Sequence, residues 1–433
     1  MSFLKVLGFD PAKHNVKTEI VAGITTFLTM AYILAVNPDI FSALEDMGMP
    51  KGAVFTATAL AAIVGTLVMS IYAKKPYALA PGLGLNAFFV YTVCLTMGYS
   101  WQFALTAVLI EGIIFIILTV TNVREAIINA IPKSMKSAVS AGIGLFIAFI
   151  GLVNAGIIVD DGGTIISLGT ITSGPALLAI VGLVITSVMM ILKVPGAMLI
   201  GIIVTAIIGI PFGITKFDGV VSAVPSVAPI FCKFEFHNIL TWDMIIVVFT
   251  FLFIDMFDTI GTVIGVSKKA NAMNPDGTIP GVKKVLMADA VATVWGAICG
   301  TSTTTTYVES ASGVAEGGRT GLTSFTVAIC FAIALFFAPV FLAIPSAATA
   351  PALILVGVMM MSSILDVDFN DFSECIPAYI CMIVMPLAYS ISDGIMLGLI
   401  SFVVLNALTG KFKKISVMMW ILAILFILRY ILL

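Results

Sequence analysis

Pro76-Tyr77-Ala78-Leu79-Ala80-Pro81-Gly82-Leu83-Gly84-Leu85-Asn86-Ala87-Phe88-Phe89 and Gly300-Thr301-Ser302-Thr303-Thr304-Thr305-Thr306-Tyr307-Val308-Glu309-Ser310-Ala311-Ser312-Gly313 are the two stretches on which the fold turns. Both fall where the surrounding apolar runs call for a membrane-spanning helix, and neither is a plain one. The first opens with two prolines and two glycines, and the second carries five threonines between 301 and 306, a composition that favours extended backbone. Extended backbone at membrane depth persists only where protein or a cavity satisfies its polar groups. A helix that starts halfway across also leaves unpaired N–H groups and the positive end of its dipole at the midplane. Two such interruptions in corresponding places are the sequence mark of a transporter's binding site.

The solvent follows from the composition. Of 433 residues 60% are hydrophobic and 10% charged, with a mean hydropathy of +1.17, against about 25% charge in a soluble domain. Only a lipid bilayer tolerates that surface, which excludes a cytosolic enzyme, a secreted domain and a nucleic-acid binder. The net charge of -2 also speaks against a polyanionic partner. The six cysteines lack a C-x-x-C pair and read as small buried hydrophobes, with Cys232 alone in a polar loop. The first residues, Met1 to Glu19, match neither a signal peptide nor a lipidation site, so the mature chain is expected to begin at Met1.

Fourteen apolar segments qualify as spans, the third near 84–98, the eighth near 243–266 and the tenth near 306–318. With the N-terminus inside, seventeen Lys and Arg fall on the cytoplasmic side; only Lys51, Lys216 and Lys233 fall outside, and Arg429 is set apart. One missed span would scramble that bias, so it supports a multi-pass plasma (inner) membrane protein with a cytoplasmic N-terminus. Ile131-Pro132 with Gly144 recurs as Ile344-Pro345 with Gly357, and Gly196-Ala197-Met198-Leu199 recurs as Gly394-Ile395-Met396-Leu397. Seven helices return the chain to the opposite face, so these echoes indicate an inverted 7+7 repeat. The fold class is therefore all-α and polytopic, with broken third and tenth helices each preceded by a short extended segment. The first repeat covers 18–211 and the second 242–408. A basic turn and an extra apolar helix fill 412–433, either crossing the membrane or lying in its interface.

Ionisable groups within spans are costly and mark function. Asp289, Glu316 and Asp393 lie near expected helix ends and read as capping or solvated carboxylates, while Glu111 fits a structural hydrogen bond as well as a coupling role. Asp255 and Asp258 stand three residues apart in the eighth span and share a helix face. Glu309 begins the tenth half-helix, and Asn86 holds the matching place in the third. Phe88, Phe89 and Tyr307 could stack on a planar ring, though aromatics there also serve packing. The two histidines, His14 and His237, fall in loops on opposite sides, so no His-based metal site or catalytic residue is expected.

The Pro-Gly-Leu-Gly-Leu-Asn-Ala-Phe-Phe segment, the Asp255-x-x-Asp258-Thr259 segment, and Thr-Thr-Tyr-Val-Glu309-Ser followed by Ala-Glu316-Gly-Gly-Arg319-Thr-Gly321 resemble the azaguanine-type purine permeases. These belong to the nucleobase-cation symporter, or nucleobase-ascorbate transporter, superfamily. The resemblance implies a core domain of spans 1–4 and 8–11 sliding against a gate domain of spans 5–7 and 12–14. It implies uptake of hypoxanthine, guanine and adenine by proton symport, with H+ as coupling ion and no other cofactor. On the matching positions Asp255 and Glu309 would bind the base, and Asn86, Ala87, Phe88, Tyr307 and Val308 would complete the site. Asp255, Asp258 and Glu309 would form the proton-responsive cluster. A homodimer stays open as the assembly. Other readings are xanthine or uracil as cargo, Na+ in place of H+, a channel, or a membrane-embedded enzyme. The absence of a G-x-x-x-x-G-K-[ST] motif argues against ATP drive.

Overall fold

The computed structural model describes residues 2–121, 132–217, 219–237, 239–270, 272, 274 and 279–432. Met1, Arg124 of the cation count and Ile131 of the repeat match lie outside the described residues, as do the side chains of Lys268 and Arg429.

The two unusual stretches solve each other's problem. Strand β1 (Leu79–Pro81) pairs antiparallel with β4 (Thr304–Thr306), Ala80 opposite Thr305. Gly82 N donates to Thr303 O (3.0 Å) and Tyr307 N to Ala78 O (2.9 Å), so the pairing runs on past the strands. Each extended segment thus supplies hydrogen bonds that lipid could not. After β1 the chain winds into α4 (Leu83–Ala87), which continues in wider π-type turns through Phe88–Thr96. After β4 it forms the short α11 (Ser310–Ala315).

Two groups of helices flank this crossing. The first comprises α1 (Val16–Met30), α2 (Ile33–Phe41), α3 (Lys51–Val68), α5 (Trp101–Thr121), α9 (Trp242–Lys269), α10 (Val282–Cys299) and α12 (Gly321–Ala334). In it α10 packs on α3 and α5, and α12 on α1 and α3. The second comprises α6 (Lys133–Asn154), α7 (Gly174–Ile191), α8 (Ala197–Gly209), α14 (Ser346–Met361), α15 (Phe372–Leu387) and α16 (Ile391–Leu408), with α6 against α14 and α15 at its centre. The short α13 (Ala338–Leu342) leads from α12 toward α14.

The repeat-matched glycines meet where α6 crosses α14. A Cβ on Gly144 would fall 2.8 Å from Gly357 O, and one on Gly357 would fall 2.5 Å from Gly144 O. Any larger residue would push the helices apart, the use small residues have in membrane packing.

Each of the fourteen expected segments contains a helix, and among the described residues nine helices are long and apolar enough to cross a membrane. The first expected span is two helices, broken between Met30 and Ile33. Between α6 and α7 the chain forms a hairpin, β2 (Ile158–Asp161) with β3 (Ile165–Leu168). Cys94, Cys299, Cys375 and Cys381 are buried, Cys330 partly, and Cys232 is exposed, all of them unpaired thiols.

The C-terminal stretch forms α17 (Val417–Leu432), which packs on α16. Lys411 and Lys414 bind Asp371 at one end (3.1 and 2.7 Å), and Tyr430 Oη donates to Asp393 Oδ1 at the other (2.7 Å). The helix therefore runs antiparallel to α16 along its length rather than lying across the bundle end. The neighbouring Lys414, Ser373 and Lys411 hold the Asp371 carboxyl well below the usual carboxylate range.

Candidate functional site

A cavity of about 420 Å³ lies between the two helix groups, at the ends of β1 and β4, within the range of small-molecule sites. The break before α2 turns Tyr32 into it. Gly82 to Leu85 bring the N-terminal turn of α4, the positive end of its dipole, to the cavity wall. From α9 come Ile254, Asp258 and Thr262, and from the turn after β4 come Thr306 to Glu309. The second group contributes an apolar wall with few hydroxyls: Val139, Ser140 and Ile143 of α6, Val356 and Met360 of α14, and Ser363.

Gly84 lets α4 approach α6 closely. A Cβ there would fall 2.6 Å from Ile143 Cγ2.

Two carboxylates reach the cavity. Glu309 is half-buried and accepts a hydrogen bond at Oε1 from Tyr32 Oη (2.7 Å). Asp258, also half-buried, faces it from α9. Tyr307 is fixed by its own hydroxyl, which donates to Pro81 O (2.6 Å), so its ring is presented to the cavity while its polar end is satisfied. Val308, 50% exposed, lies at the same wall.

Asp255, Asn86, Ala87 and Phe88 do not line the cavity; all are fully or nearly fully buried behind it. Three residues on an α-helix turn the side chain through about 300°, leaving neighbours about 60° apart. That is enough to set Asp258 on the wall and Asp255 in the packed interior. There Thr259 Oγ1 lies 3.1 Å from Asp255 Oδ1, 2.9 Å from Asp289 Oδ2 and 2.7 Å from Thr305 Oγ1. Asn86 Oδ1 accepts from Ser302 Oγ, and Phe88 stacks edge-on against Phe251 with ring centroids 4.8 Å apart.

Asp289 corrects the sequence reading. It is neither a cap nor solvated: it lies inside α10, fully buried, and accepts from Thr306 N and Thr306 Oγ1 (both 2.9 Å). It thereby fastens β4, and with it the approach to Tyr307 and Glu309, to the helix behind. Glu111 does similar work three residues earlier, just before β4, accepting from Thr303 Oγ1 (2.6 Å). The far end of α11 is closed by Arg319, whose guanidinium donates to Val314 O (2.6 Å) and Gly318 O (2.7 Å). Glu316 is exposed at that end, and Asp393 lies in the first turn of α16.

The sequence profile of the Permease family matches residues 17–397. A permease of Methanocaldococcus jannaschii is 49% identical over 428 residues, covering 99% of this chain and 98% of the relative. The guanine/hypoxanthine permease PbuG of Bacillus subtilis is 45% identical, covering 98% of each chain, and the adenine permease AdeQ of Escherichia coli is 41% identical, covering 96% and 94%. The chain belongs to the nucleobase-ascorbate transporter family, in its adenine/guanine/hypoxanthine permease branch. Its backbone is similar to the transmembrane domain of the cyanobacterial bicarbonate transporter BicA, with a TM-score of 0.66 at 16% identity, covering 89% of this chain and 97% of that one; this is a likeness of fold.

The permease is thus a membrane transporter and not an enzyme. Sequence reading missed Tyr32, Thr262 and Thr306 and the whole second wall of the permease's cavity. Tyr32 sits in an unbroken apolar run, and Val139, Ile143, Val356 and Met360 look like any lipid-facing residue until the partner helix is known.

Proposed function

We propose that the permease imports purine nucleobases (hypoxanthine, guanine and adenine) by proton symport across the inner membrane, with its N-terminus in the cytoplasm. One observation carries the reading: two carboxylates, Asp258 and Glu309, converge on a cavity whose opposite wall is largely apolar. A neutral purine presents N–H donors on its edge and an apolar face. The edge would donate to Asp258 and Glu309, and the faces would lie against Tyr307, Ile254 and the α6–α14 wall. In this assignment Asp258 takes the base-binding role that the resemblance gave to Asp255. Asp255 joins Asp289 and Thr259 in the support behind, and Asn86, Ala87 and Phe88 hold α4 in place.

Proton coupling suits the same groups, because a carboxylate pair in low dielectric is relieved by a proton when no cation is bound. Asp258, Glu309 and Asp255 would share it as a cluster rather than through one residue. The first helix group would act as core and the second as gate, alternating access by sliding along the apolar wall, and α17 would be a fifteenth crossing. The cavity is built from one chain, so it would serve a monomer or a homodimer alike.

The test is hypoxanthine accumulation in proteoliposomes. One proton entering with a neutral base moves one positive charge, worth about 2.3 kcal/mol per 100 mV, and one pH unit adds about 1.4 kcal/mol. Both gradients should drive accumulation, and replacing Na+ should leave it unchanged. Accumulation that ignores pH and voltage, or that requires Na+, would refute proton symport.

A further inference from the structure

Asp39 is a carboxylate that the cavity does not use. It lies near the end of α2, with 4% of its surface exposed, at the opposite end of the bundle from the Lys133–Asp366 pair. Both its oxygens are held from α14. Ser346 Oγ donates to Oδ1 (2.7 Å) and Thr349 Oγ1 to Oδ2 (2.6 Å). Lys51, at the start of α3, places Nζ 3.6 Å from Oδ1. The carboxylate belongs to the first helix group and both hydroxyls to the second, so these bonds cross the boundary that must move in an alternating-access cycle.

The same boundary is pinned beside it. Asn154 Nδ2, at the end of α6, donates to Tyr91 Oη (3.2 Å), and Thr92 Oγ1 donates to Tyr389 O, between α15 and α16 (3.3 Å). By contrast the cavity reaches the surface toward the Lys133–Asp366 end, where Ser362 lines it and is exposed.

Periodicity ties Asp39 to the cavity. Tyr32, which caps α2, and Val36 and Asp39 on it follow one another at spacings of four and three, along one face. On α14, Thr349, Leu353 and Val356 do the same. Tyr32 and Val356 line the cavity, while Val36 (0% exposed) and Leu353 (1%) lie between it and the hydrogen bonds. The order from the cavity outward is therefore ligand space, apolar plug, polar lock.

We propose that the Asp39–Ser346–Thr349 cluster is a latch that holds the two helix groups together at the end remote from the open cavity, and that its release exposes the Val36–Leu353 plug and opens the cavity to that side. Lys51 adds an ion pair to the same carboxylate whose two oxygens accept hydrogen bonds from the α14 hydroxyls. Breaking the cluster should shift the resting population toward the state open at the Asp39 end. Part of this rests on the transport reading, since the latch matters only if the groups move.

The experiment reads accessibility and not transport. Leu353→Cys is introduced, and a membrane-impermeant thiol reagent is applied from the Asp39 side of reconstituted vesicles; the same chain without Leu353→Cys supplies the background from native thiols such as Cys232. With the latch intact, labelling at 353 should be slow. Ser346→Ala with Thr349→Val removes two hydrogen bonds to a charged group and should raise it by about tenfold. Ser346→Ala alone should give an intermediate rise. Asp39→Asn, which preserves shape, should also raise it, so the proposal does not depend on one variant folding. Labelling that stays at the intact rate in folded Ser346→Ala, Asp39→Asn and the double variant would overturn the latch. Labelling that rises while the unmodified protein takes up no purine would uphold the latch and defeat the transport reading instead.

Discussion

The two sides of the β1–β4 crossing use the same residue types to opposite ends. Behind it, Asp255 and Asp289 sit among Thr259, Thr305 and Thr306, and Asp289 takes three hydrogen bonds from threonine hydroxyls and backbone. In front, Asp258 and Glu309 face a cavity, and Glu309 has one oxygen held by Tyr32. Asp289, with three fixed donors, is scaffold, because its acceptor capacity is committed. A carboxylate on a cavity wall keeps capacity for a ligand. Sequence position alone does not separate the two, as Asp255 and Asp258 are less than one turn apart.

The largest test of the contrast is Glu309→Gln. An amide opposite a purine N–H loses the charged acceptor and can set donor against donor, costing about 1.5 to 3 kcal/mol. Uptake should fall roughly ten- to hundredfold or more, with the protein still in the membrane at its usual level. Uptake at the unmodified rate would remove Glu309 from the front side.

Asp289→Asn probes the back. Asparagine cannot accept all three of the bonds that Asp289 takes, so stability should drop by about 1 to 3 kcal/mol. Thermal unfolding in detergent should begin at lower temperature, while the fraction that remains folded binds hypoxanthine with affinity within about threefold of the unmodified protein. A large loss of affinity with no loss of stability would place Asp289 in front.

Tyr32→Phe is the finer probe. It deletes one hydrogen bond to the Glu309 carboxylate, worth about 1.5 to 3 kcal/mol, of which the bound base feels a part, and should weaken hypoxanthine binding by about fivefold without lowering the yield of folded protein. A gain in affinity would mean that Tyr32 competes with the base for Glu309 rather than orienting it.

Much of this arrangement is legible in the sequence. Pro81-Gly82 and the Thr301–Thr306 run announce extended backbone inside a membrane, and the Gly144 and Gly357 echo falls where two helices cross in close contact. What the sequence leaves open is the direction of side chains around a helix and the identity of partners across the bundle. Asp289 looked like a cap because a helix end lay nearby; only the placement of β4 against α10 turns it into a buried anchor. Tyr32 gave no signal because the break in the first span has neither proline nor glycine at Ala31 or Tyr32. The second wall was invisible for a physical reason: an apolar side chain facing lipid and one facing a purine obey the same composition.

The most direct measurement compares Asp258→Asn with Asp255→Asn, reading binding of labelled hypoxanthine to the purified, folded proteins. Asp258→Asn should lose at least about tenfold in affinity, a hydrogen bond to a charged group being worth about 1.5 to 3 kcal/mol. Asp255→Asn should lower thermal stability and leave affinity within about threefold. Full affinity in Asp258→Asn together with lost binding in a well-folded Asp255→Asn would contradict the division between front and back, and with it the site.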